Sequence, residues 1–251
     1  MKIEKIAIIA YGDGGELGRF EVFARTLSKE LNKKYTKVLV QYVNRDAKFF
    51  NLIESVNSAK EEIAELHIFS HSIGASLFLG YKDHAIATSR NTLVMNKSKA
   101  GKNVTYHEVV RAEVGAIQTD DFKVGVFLNK QSDYQKKFSV DAFIKLWGCN
   151  SGVKGWIYSD GGVVDPKDTS APYYWRAFNE FNTPKPSIAQ AVAKFFNRKV
   201  YGANSGASIE VYHNKKWRSS QQYKNQVGHW PSGILPHRLV PDKGAYNEFL
   251  P

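Results

Sequence analysis

The 251-residue sequence predicts an α/β fold, a three-layer α/β/α sandwich with a mostly parallel sheet. Apolar runs of strand length alternate with amphipathic stretches of helical spacing, and the joints between them are short. This alternation implies right-handed crossovers between parallel strands, with functional loops at the carboxyl ends of the strands. We expect a single domain over residues 1–251, because a chain of this length with 43% apolar residues can bury one sizeable core.

The first part of the chain supplies three predicted strands and two predicted helices. A first strand is predicted at Ile3–Ala10, because its run Ile6–Ala10 is continuously apolar and a Gly-rich turn follows, which is typical of a strand buried on both faces. Apolar residues then recur at helical spacing over Phe20–Leu31. A second strand is predicted at Lys37–Val43, a second helical stretch at Phe49–Glu65, and a third strand begins at Leu66–Phe69.

The middle of the chain is less regular. We interpret residues at about 80–139 as an excursion from the sheet that packs beside the carboxyl edge of the strands. Within it, the pattern predicts a helix at Tyr106–Ala112 and an extended segment at Val124–Leu128. The sheet resumes at the apolar run Ala142–Trp147.

The last part of the chain returns to regular structure before a tail. Ser187–Gln190 matches a capping box, which predicts a helix that ends at Phe196. Strands are predicted at Lys199–Ala203 and Ile209–His213. The tail at about 221–251 contains several prolines, and we expect it to wrap over the surface.

Composition disfavours several classes of function. No apolar stretch reaches the roughly 20 residues that a membrane span needs, and the first apolar run is too short for a signal-peptide core. We therefore expect a cytoplasmic protein, or one exported without a cleavable signal peptide. The net charge of +11 suits an anionic partner, but the lysines are scattered and neither an RNA-binding signature nor zinc-finger spacing occurs. Nucleic acid is therefore disfavoured as a partner.

Two segments at predicted strand ends could carry chemistry, Ser70-His71-Ser72-Ile73-Gly74 and Gly148-Cys149-Asn150-Ser151-Gly152. Cys149 is the only cysteine, so it cannot form a disulfide within the chain, and its thiol is either an inert buried side chain or a reactive group. A cysteine attacks acyl carbon well when a nearby base generates the thiolate, and neighbouring parallel strands would bring His71 close to it. The small residues around Cys149 leave room for a substrate, and backbone N–H groups there can face a developing oxyanion.

A strand followed by His71, and a later strand followed by Cys149-Asn-Ser-Gly, resembles the caspase-like peptidase clan of caspases, gingipains, clostripain, separase and CHAT domains. In that clan three strands alternate with two helices, the third strand ends in the histidine, and the fourth ends in the cysteine. The resemblance covers residues 3–152 and is strongest to the bacterial and CHAT-type members. It implies that the chain is a caspase-like cysteine peptidase that acts on a protein or peptide. A bacterial origin, and a role as a secreted effector or toxin, would be consistent with this resemblance.

The resemblance also implies roles for individual residues. Cys149 would attack the amide carbonyl, His71 would act as base and then protonate the leaving amine, and no cofactor or metal would be needed. The oxyanion and cleft would be formed by Ser72, Gly74, Gly148 and Asn150, with the N–H of Cys149 contributing. The clan usually has glycine directly after the histidine, whereas this chain has Ser72 there. No acid of a specificity pocket is identified among Asp160, Asp165 and Asp168.

Two alternatives remain open at this point. The segment Ser70–Ala75 also resembles the nucleophile elbow of α/β-hydrolases, which would make Ser72 the nucleophile of a serine esterase or lipase. Asp160 or Asp165 would then be the acid, and His229 or His237 the base. In the other alternative, the chain is a catalytically inactive caspase-like binding module. The sequence leaves the substrate and the oligomeric state open.

Overall fold

A computed structural model describes residues 3–13, 20–74, 76–80, 115–119, 121–123, 126–153 and 186–251. This part of the chain is mixed α/β, with a mostly parallel central sheet and few helices. None of its helices has the length and apolar character that crossing a membrane would require.

The helices and strands are numbered here in chain order over the described residues. The helices are α1 (Glu21–Leu31), α2 (Asp46–Glu54), α3 (Val126–Asn129), α4 (Gln131–Gln135), α5 (Ile188–Phe196) and α6 (Ser220–Val227). The first strands are β1 (Glu4–Tyr11), β2 (Val38–Tyr42), β3 (Glu61–Phe69), β4 (His71–Ile73), β5 (Ser76–Phe78) and β6 (Ala116–Gln118). The later strands are β7 (Phe138–Leu146), β8 (Lys199–Ala203), β9 (Ala207–His213), β10 (Lys216–Ser219), β11 (His237–Pro241) and β12 (Tyr246–Phe249).

Six of the described strands form the central sheet, in the order β12, β8, β7, β3, β1, β2. All neighbours pair in parallel except β12, which pairs antiparallel with β8 at one edge. Because β3 and β7 are parallel neighbours, the segments that follow them emerge at the same edge of the sheet.

Apolar residues are buried on both faces of this sheet. On β1, Ile6 and Ile8 face a cluster that includes the apolar residues of α2 and α5, whereas Ala7 and Ile9 face a cluster that includes α1 and Leu239 of β11. A strand buried on both faces has no polar alternation, which is why β1 is visible in the sequence as an unbroken apolar run.

The prediction that the second helix extends to Glu65 is wrong. Helix α2 ends at Glu54, and β3 already begins at Glu61. The glutamates of this segment are good helix formers, but the segment is held as a strand by pairing with β1 from Glu4 onward. An ion pair between Lys37 and Glu61 also stabilises it in this position.

The predicted excursion is described only at its two ends. Tyr106–Ala112 lies outside the described residues. Val126–Asn129 is helical rather than extended, because the Phe127 ring stacks on Phe50 of α2 at 3.9 Å. The sheet also resumes earlier than expected, at Phe138. Where the excursion begins, the Gly80 N–H donates to the carbonyl of Gly115 at 2.7 Å, so residues 80 and 115 are held together.

The tail is more regular than the sequence suggests. Beyond residue 221 it contains most of α6 and two strands, β11 and β12. β11 pairs with β9 in a small antiparallel sheet with β10, and β12 forms the edge of the central sheet. The tail therefore contributes a strand to each of these two sheets. Helix α5 begins as predicted at Ser187, whose hydroxyl accepts a hydrogen bond from the N–H of Gln190.

Candidate active site

The two predicted active-site segments follow neighbouring strands in a shared register. His67 pairs with Lys145 and Ile68 with Leu146, and the Trp147 N–H donates to the Ile68 carbonyl at 2.9 Å. The partners are 78 positions apart in the chain, which is also the separation between His71 and Cys149. The paired register ends at Ile68 and Leu146, and beyond it Gly148 packs against Ser70 and Ser72, so the two candidate segments lie side by side at the carboxyl edge of the sheet.

Aromatic packing marks the face on which these positions lie. The rings of Phe69 and Trp147 stack at 5.1 Å with only 12° between their planes. Phe69 belongs to the buried cluster on the α1 face of the sheet, and Trp147 packs against this cluster. His71 contacts Phe20 of the same cluster, while Cys149 contacts Ala207, which packs against it. His71 is half-buried, and its ring meets the ring of Phe20 edge-on at 5.1 Å.

Cys149 is half-buried and held by the first residue of β9. The Ala207 N–H donates to Sγ at 3.2 Å, and Sγ lies 3.9 Å from the Ala207 carbonyl oxygen. Burial raises the pKa of the Cys149 thiol; the hydrogen bond from Ala207 opposes this effect but does not cancel it. The thiol is therefore protonated at neutral pH, and a base must remove its proton before the sulfur can attack.

Gly148 makes the approach of the two segments possible. A Cβ atom added at Gly148 would lie 2.5 Å from the Cβ of Ser72 and 2.8 Å from the carbonyl oxygen of Ser70. Any side chain at this position would therefore push the segment before Cys149 away from the segment that contains His71.

The three residues after Cys149 each have a structural role. Asn150 has a left-handed backbone with φ of 56°, which asparagine tolerates better than most residues. The Ser151 hydroxyl is buried, donates to the Gly148 carbonyl and accepts from the Ala203 N–H. A Cβ at Gly152 would lie 2.7 Å from the Phe249 ring. The Asn-Ser-Gly string thus fixes this loop against β8 and β12, whatever chemistry Cys149 performs.

Two of the residues predicted to form the oxyanion hole and the cleft make backbone hydrogen bonds to other segments. The Asn150 N–H donates to the Ser205 carbonyl at 2.8 Å, and the Gly74 carbonyl accepts from the Ile188 N–H at 2.7 Å. Ser72 is buried in β4 beside Gly148. Among the described residues, no backbone carbonyl accepts the Cys149 N–H, and this N–H contributes to lowering the pKa of the Cys149 thiol.

The serine alternative expects a strand-to-helix turn at Ser72. Instead, Ser72 lies in β4, which forms an antiparallel hairpin with β5. Of the two histidines proposed for that mechanism, the His237 ring meets Phe23 with 5.6 Å between ring centroids, and the exposed His229 ring meets Tyr223 at 5.8 Å. Asp160, Asp165 and Asp168 lie outside the described residues.

A buried polar network beneath the candidate dyad was not predicted. On β3, Glu65 Oε2 lies 3.0 Å from His67 Nε2, and Glu65 Oε1 accepts from Tyr35 Oη at 2.8 Å and from Lys34. Trp147 Nε1–H donates to His67 Nδ1 at 3.3 Å. This bond assigns Nδ1 as the acceptor and leaves the proton of a neutral imidazole on Nε2, facing Glu65.

The electrostatics of this network favour a neutral histidine beside a charged glutamate. Burial lowers the pKa of His67, against the opposing effect of Glu65. Burial alone would raise the pKa of Glu65, but hydrogen bonds from His67, Lys34 and Tyr35 outweigh it and lower this pKa to about 2. The signal in the sequence was two polar residues, Glu65 and His67, two positions apart within the apolar part of the strand.

Lys145 is the second feature that the sequence did not reveal. Its ammonium lies 3.7 Å from the ring centroid of Trp147 and 4.3 Å from that of Tyr246. Burial lowers the pKa of Lys145 to about 8, and the charge of Glu65 opposes this shift. Since Tyr246 belongs to β12, the tail supplies one of the two aromatic rings that Lys145 contacts, four residues before Cys149.

The described residues contain no cluster of three or more histidine, cysteine, aspartate or glutamate side chains placed to hold a metal ion. Comparisons with protein-family models, curated proteins and solved structures found no match to this chain.

Proposed function

We propose that this chain is a cysteine hydrolase, an endopeptidase that cleaves a peptide amide with His71 as base and Cys149 as nucleophile. One observation carries the proposal: β3 and β7 are parallel neighbours, and the segments that follow them, which contain His71 and Cys149, lie side by side with Gly148 against Ser70 and Ser72. Functional loops of parallel sheets lie at this edge.

The proposed fold is a caspase-like three-layer α/β/α sandwich. The order β1, α1, β2, α2, β3 followed by His71, with Cys149 after a neighbouring strand, matches the order of the caspase-like clan. Residues of α1 pack with one buried cluster, and residues of α2 and α5 pack with the other. These contacts support helices on both faces of the sheet.

The proposed reaction uses only side chains and backbone groups of this chain. His71 takes the proton of the Cys149 thiol as Sγ attacks the carbonyl carbon, and the Cys149 N–H stabilises the negative charge on the oxygen. When the intermediate collapses, the C–N bond breaks and His71 gives the proton to the leaving amine. Water then attacks the thioester, releases the new carboxylate and restores the free thiol.

The proposal is tested by peptide cleavage together with labelling of the thiol. The purified chain is incubated with a peptide library in parallel with a Cys149→Ala variant, and new amino termini are identified by mass spectrometry. We expect discrete cleavage by the wild type and at least a 10³-fold loss in the variant. Equal cleavage by both proteins would refute the proposal.

A second candidate is a non-catalytic module, and the environment of Cys149 favours it. Its sulfur is engaged by Ala207, and burial raises its pKa. Because the chain has a single cysteine, alkylation by iodoacetamide reports on this thiol alone. Fast alkylation of the native chain at pH 7 supports the hydrolase, whereas alkylation only after denaturation supports the module.

A further inference from the structure

A small aromatic cavity lies between α1, the central sheet and the β9–β10–β11 sheet. Its volume is about 300 Å³, and its apolar walls are formed by Phe23 and Leu27 of α1, Phe69 and Trp147 at the ends of β3 and β7, and Trp217 of β10. This volume is at the lower limit of ligand pockets, which suits a single side chain better than a larger ligand.

The cavity adjoins the proposed dyad. Phe69 is the last residue of β3 and Trp147 directly follows β7, and each stands two residues before a proposed catalytic residue. A second link runs through α1, because the Phe23 ring that lines the cavity contacts Phe20, and Phe20 contacts His71. A residue bound with its carbonyl at Cys149 could therefore place its side chain against these walls.

The charged groups at the cavity already have partners. Arg238 forms an ion pair with Glu210 at 2.6 Å, and its guanidinium stacks on Trp217 at 4.4 Å. Glu30 lies 3.8 Å from Lys33. Burial lowers the pKa of His237, so this imidazole is neutral at neutral pH. An ionised substrate side chain would lose water here without gaining an uncompensated counter-charge.

We propose that this cavity is a specificity pocket that takes one uncharged aromatic side chain of the peptide substrate. The inference rests on the proposed function, because it assumes that a peptide is bound at Cys149. Aromatic rings of the substrate would stack against or meet edge-on the rings of Phe69, Trp147 and Trp217, a favourable arrangement beyond simple burial.

The first test compares matched fluorogenic peptides that differ at a single position, the residue before the scissile amide. We expect kcat/KM for phenylalanine or tryptophan to exceed that for alanine, aspartate or lysine by about tenfold or more. Cleavage with equal or higher kcat/KM for the charged residues would overturn the inference and leave the proposed hydrolase intact.

Two variants change the cavity in opposite ways. Leu27→Trp should fill it and Trp217→Ala should remove a wall, and each should lower the ratio of kcat/KM for phenylalanine over alanine by about tenfold. Ile234→Ala serves as the control, because Ile234 is 91% exposed and does not line the cavity. An unchanged ratio in both folded cavity variants would refute the assignment.

A binding measurement separates this inference from the proposed activity. The Cys149→Ala chain is mixed with N-acetyl-4-fluorophenylalaninamide, and binding is followed by broadening of the fluorine NMR signal. Binding that is lost in the added Leu27→Trp change supports the pocket, even if no peptide is cleaved and the hydrolase proposal fails. Absence of binding, together with cleavage that ignores aromatic residues, would refute the pocket alone.

Discussion

Gly148 lies so close to Ser72 that a Cβ atom on the glycine would come within 2.5 Å of the serine Cβ. Real side chains do not approach this closely, so the contact requires glycine. This contact joins the residue before Cys149 to the residue after His71. A larger residue at position 148 would therefore increase the distance between the two candidate catalytic residues.

Gly148→Ala should therefore separate the two segments. We expect a loss of about 1–3 kcal/mol in the free energy of unfolding from overpacking, and a fall in peptide cleavage beyond that explained by unfolded protein. Urea denaturation and initial rates measure these effects. Gly233→Ala is the matched control, since a Cβ at Gly233 meets nothing within 4 Å. If both variants behave alike, the close contact has no consequence for the site.

Asn150 should be needed for its backbone conformation. With φ at 56°, Asn150→Ala should cost about 1 kcal/mol of stability, whereas Asn150→Gly should cost less because glycine reaches left-handed φ without strain. The same change at Asn32, whose φ is −63°, provides a control without this strain. Chemical denaturation of the three variants checks the order, and a larger loss for glycine than for alanine would contradict it.

Glu65 should make the stability depend on acid pH. Its pKa is about 2 in the folded chain against 4.5 for the free group, so its contribution is complete above about pH 4.5 and is lost as the pH falls toward 2. His67 acts in the same direction from higher pH, because its folded pKa is also lowered. The Glu65 shift corresponds to roughly 3 kcal/mol.

Glu65→Gln should remove this part of the pH dependence. The unfolding free energies of the wild type and the variant should converge as the pH is lowered from 4.5 to 2.5, measured by urea denaturation at fixed ionic strength. Asp133→Asn is the control, because that side chain is 73% exposed. A difference between wild type and Glu65→Gln that stays constant over this range would show that the carboxylate charge does not matter.

The sequence predicted best where burial and periodicity agree. β1, β2 and β8 were predicted from short strand-length segments, α1 from the helical spacing of its apolar residues, and α5 from its capping box. The sequence failed at β3, where Glu61 and Glu62 have helical propensity and the strand is fixed by pairing with β1. Such pairing joins distant residues, so no local pattern reveals it.

The candidate site was predictable in position but not in its surroundings. Both candidate segments follow strands, as expected, and the strands are neighbours. The contacts of Cys149 with Ala207, and of Glu65 with Lys34, join residues 58 and 31 positions apart. Only the folded chain shows them: the Ala207 N–H opposes the rise that burial causes in the pKa of Cys149, and the hydrogen bond from Lys34, together with that from His67, lowers the pKa of Glu65.

The structural roles of Asn150, Ser151 and Gly152 also limit what the motif implies. Each has a packing or backbone reason to be present in this loop, independent of chemistry. The catalytic argument therefore depends on His71 and Cys149 themselves, and substitutions at those two positions provide the decisive experiment.

The last prediction separates the cysteine mechanism from the serine alternative. Cys149→Ala removes the sulfur that would form the acyl-enzyme, so turnover should fall by several orders of magnitude. Ser72→Ala deletes a buried hydroxyl but keeps the backbone of β4, and turnover should fall by roughly tenfold or less. His71→Ala should resemble Cys149→Ala, because the raised pKa of the thiol makes a base necessary.

A serine mechanism demands the reverse order for Ser72 and Cys149, with His229→Ala or His237→Ala inactive instead of His71→Ala. Circular dichroism must first show that each variant keeps its fold, since replacing a half-buried side chain also costs stability. Full activity in a well-folded Cys149→Ala protein would refute the cysteine mechanism. Full activity in His71→Ala would refute the assignment of His71 as the base but not that of Cys149 as the nucleophile.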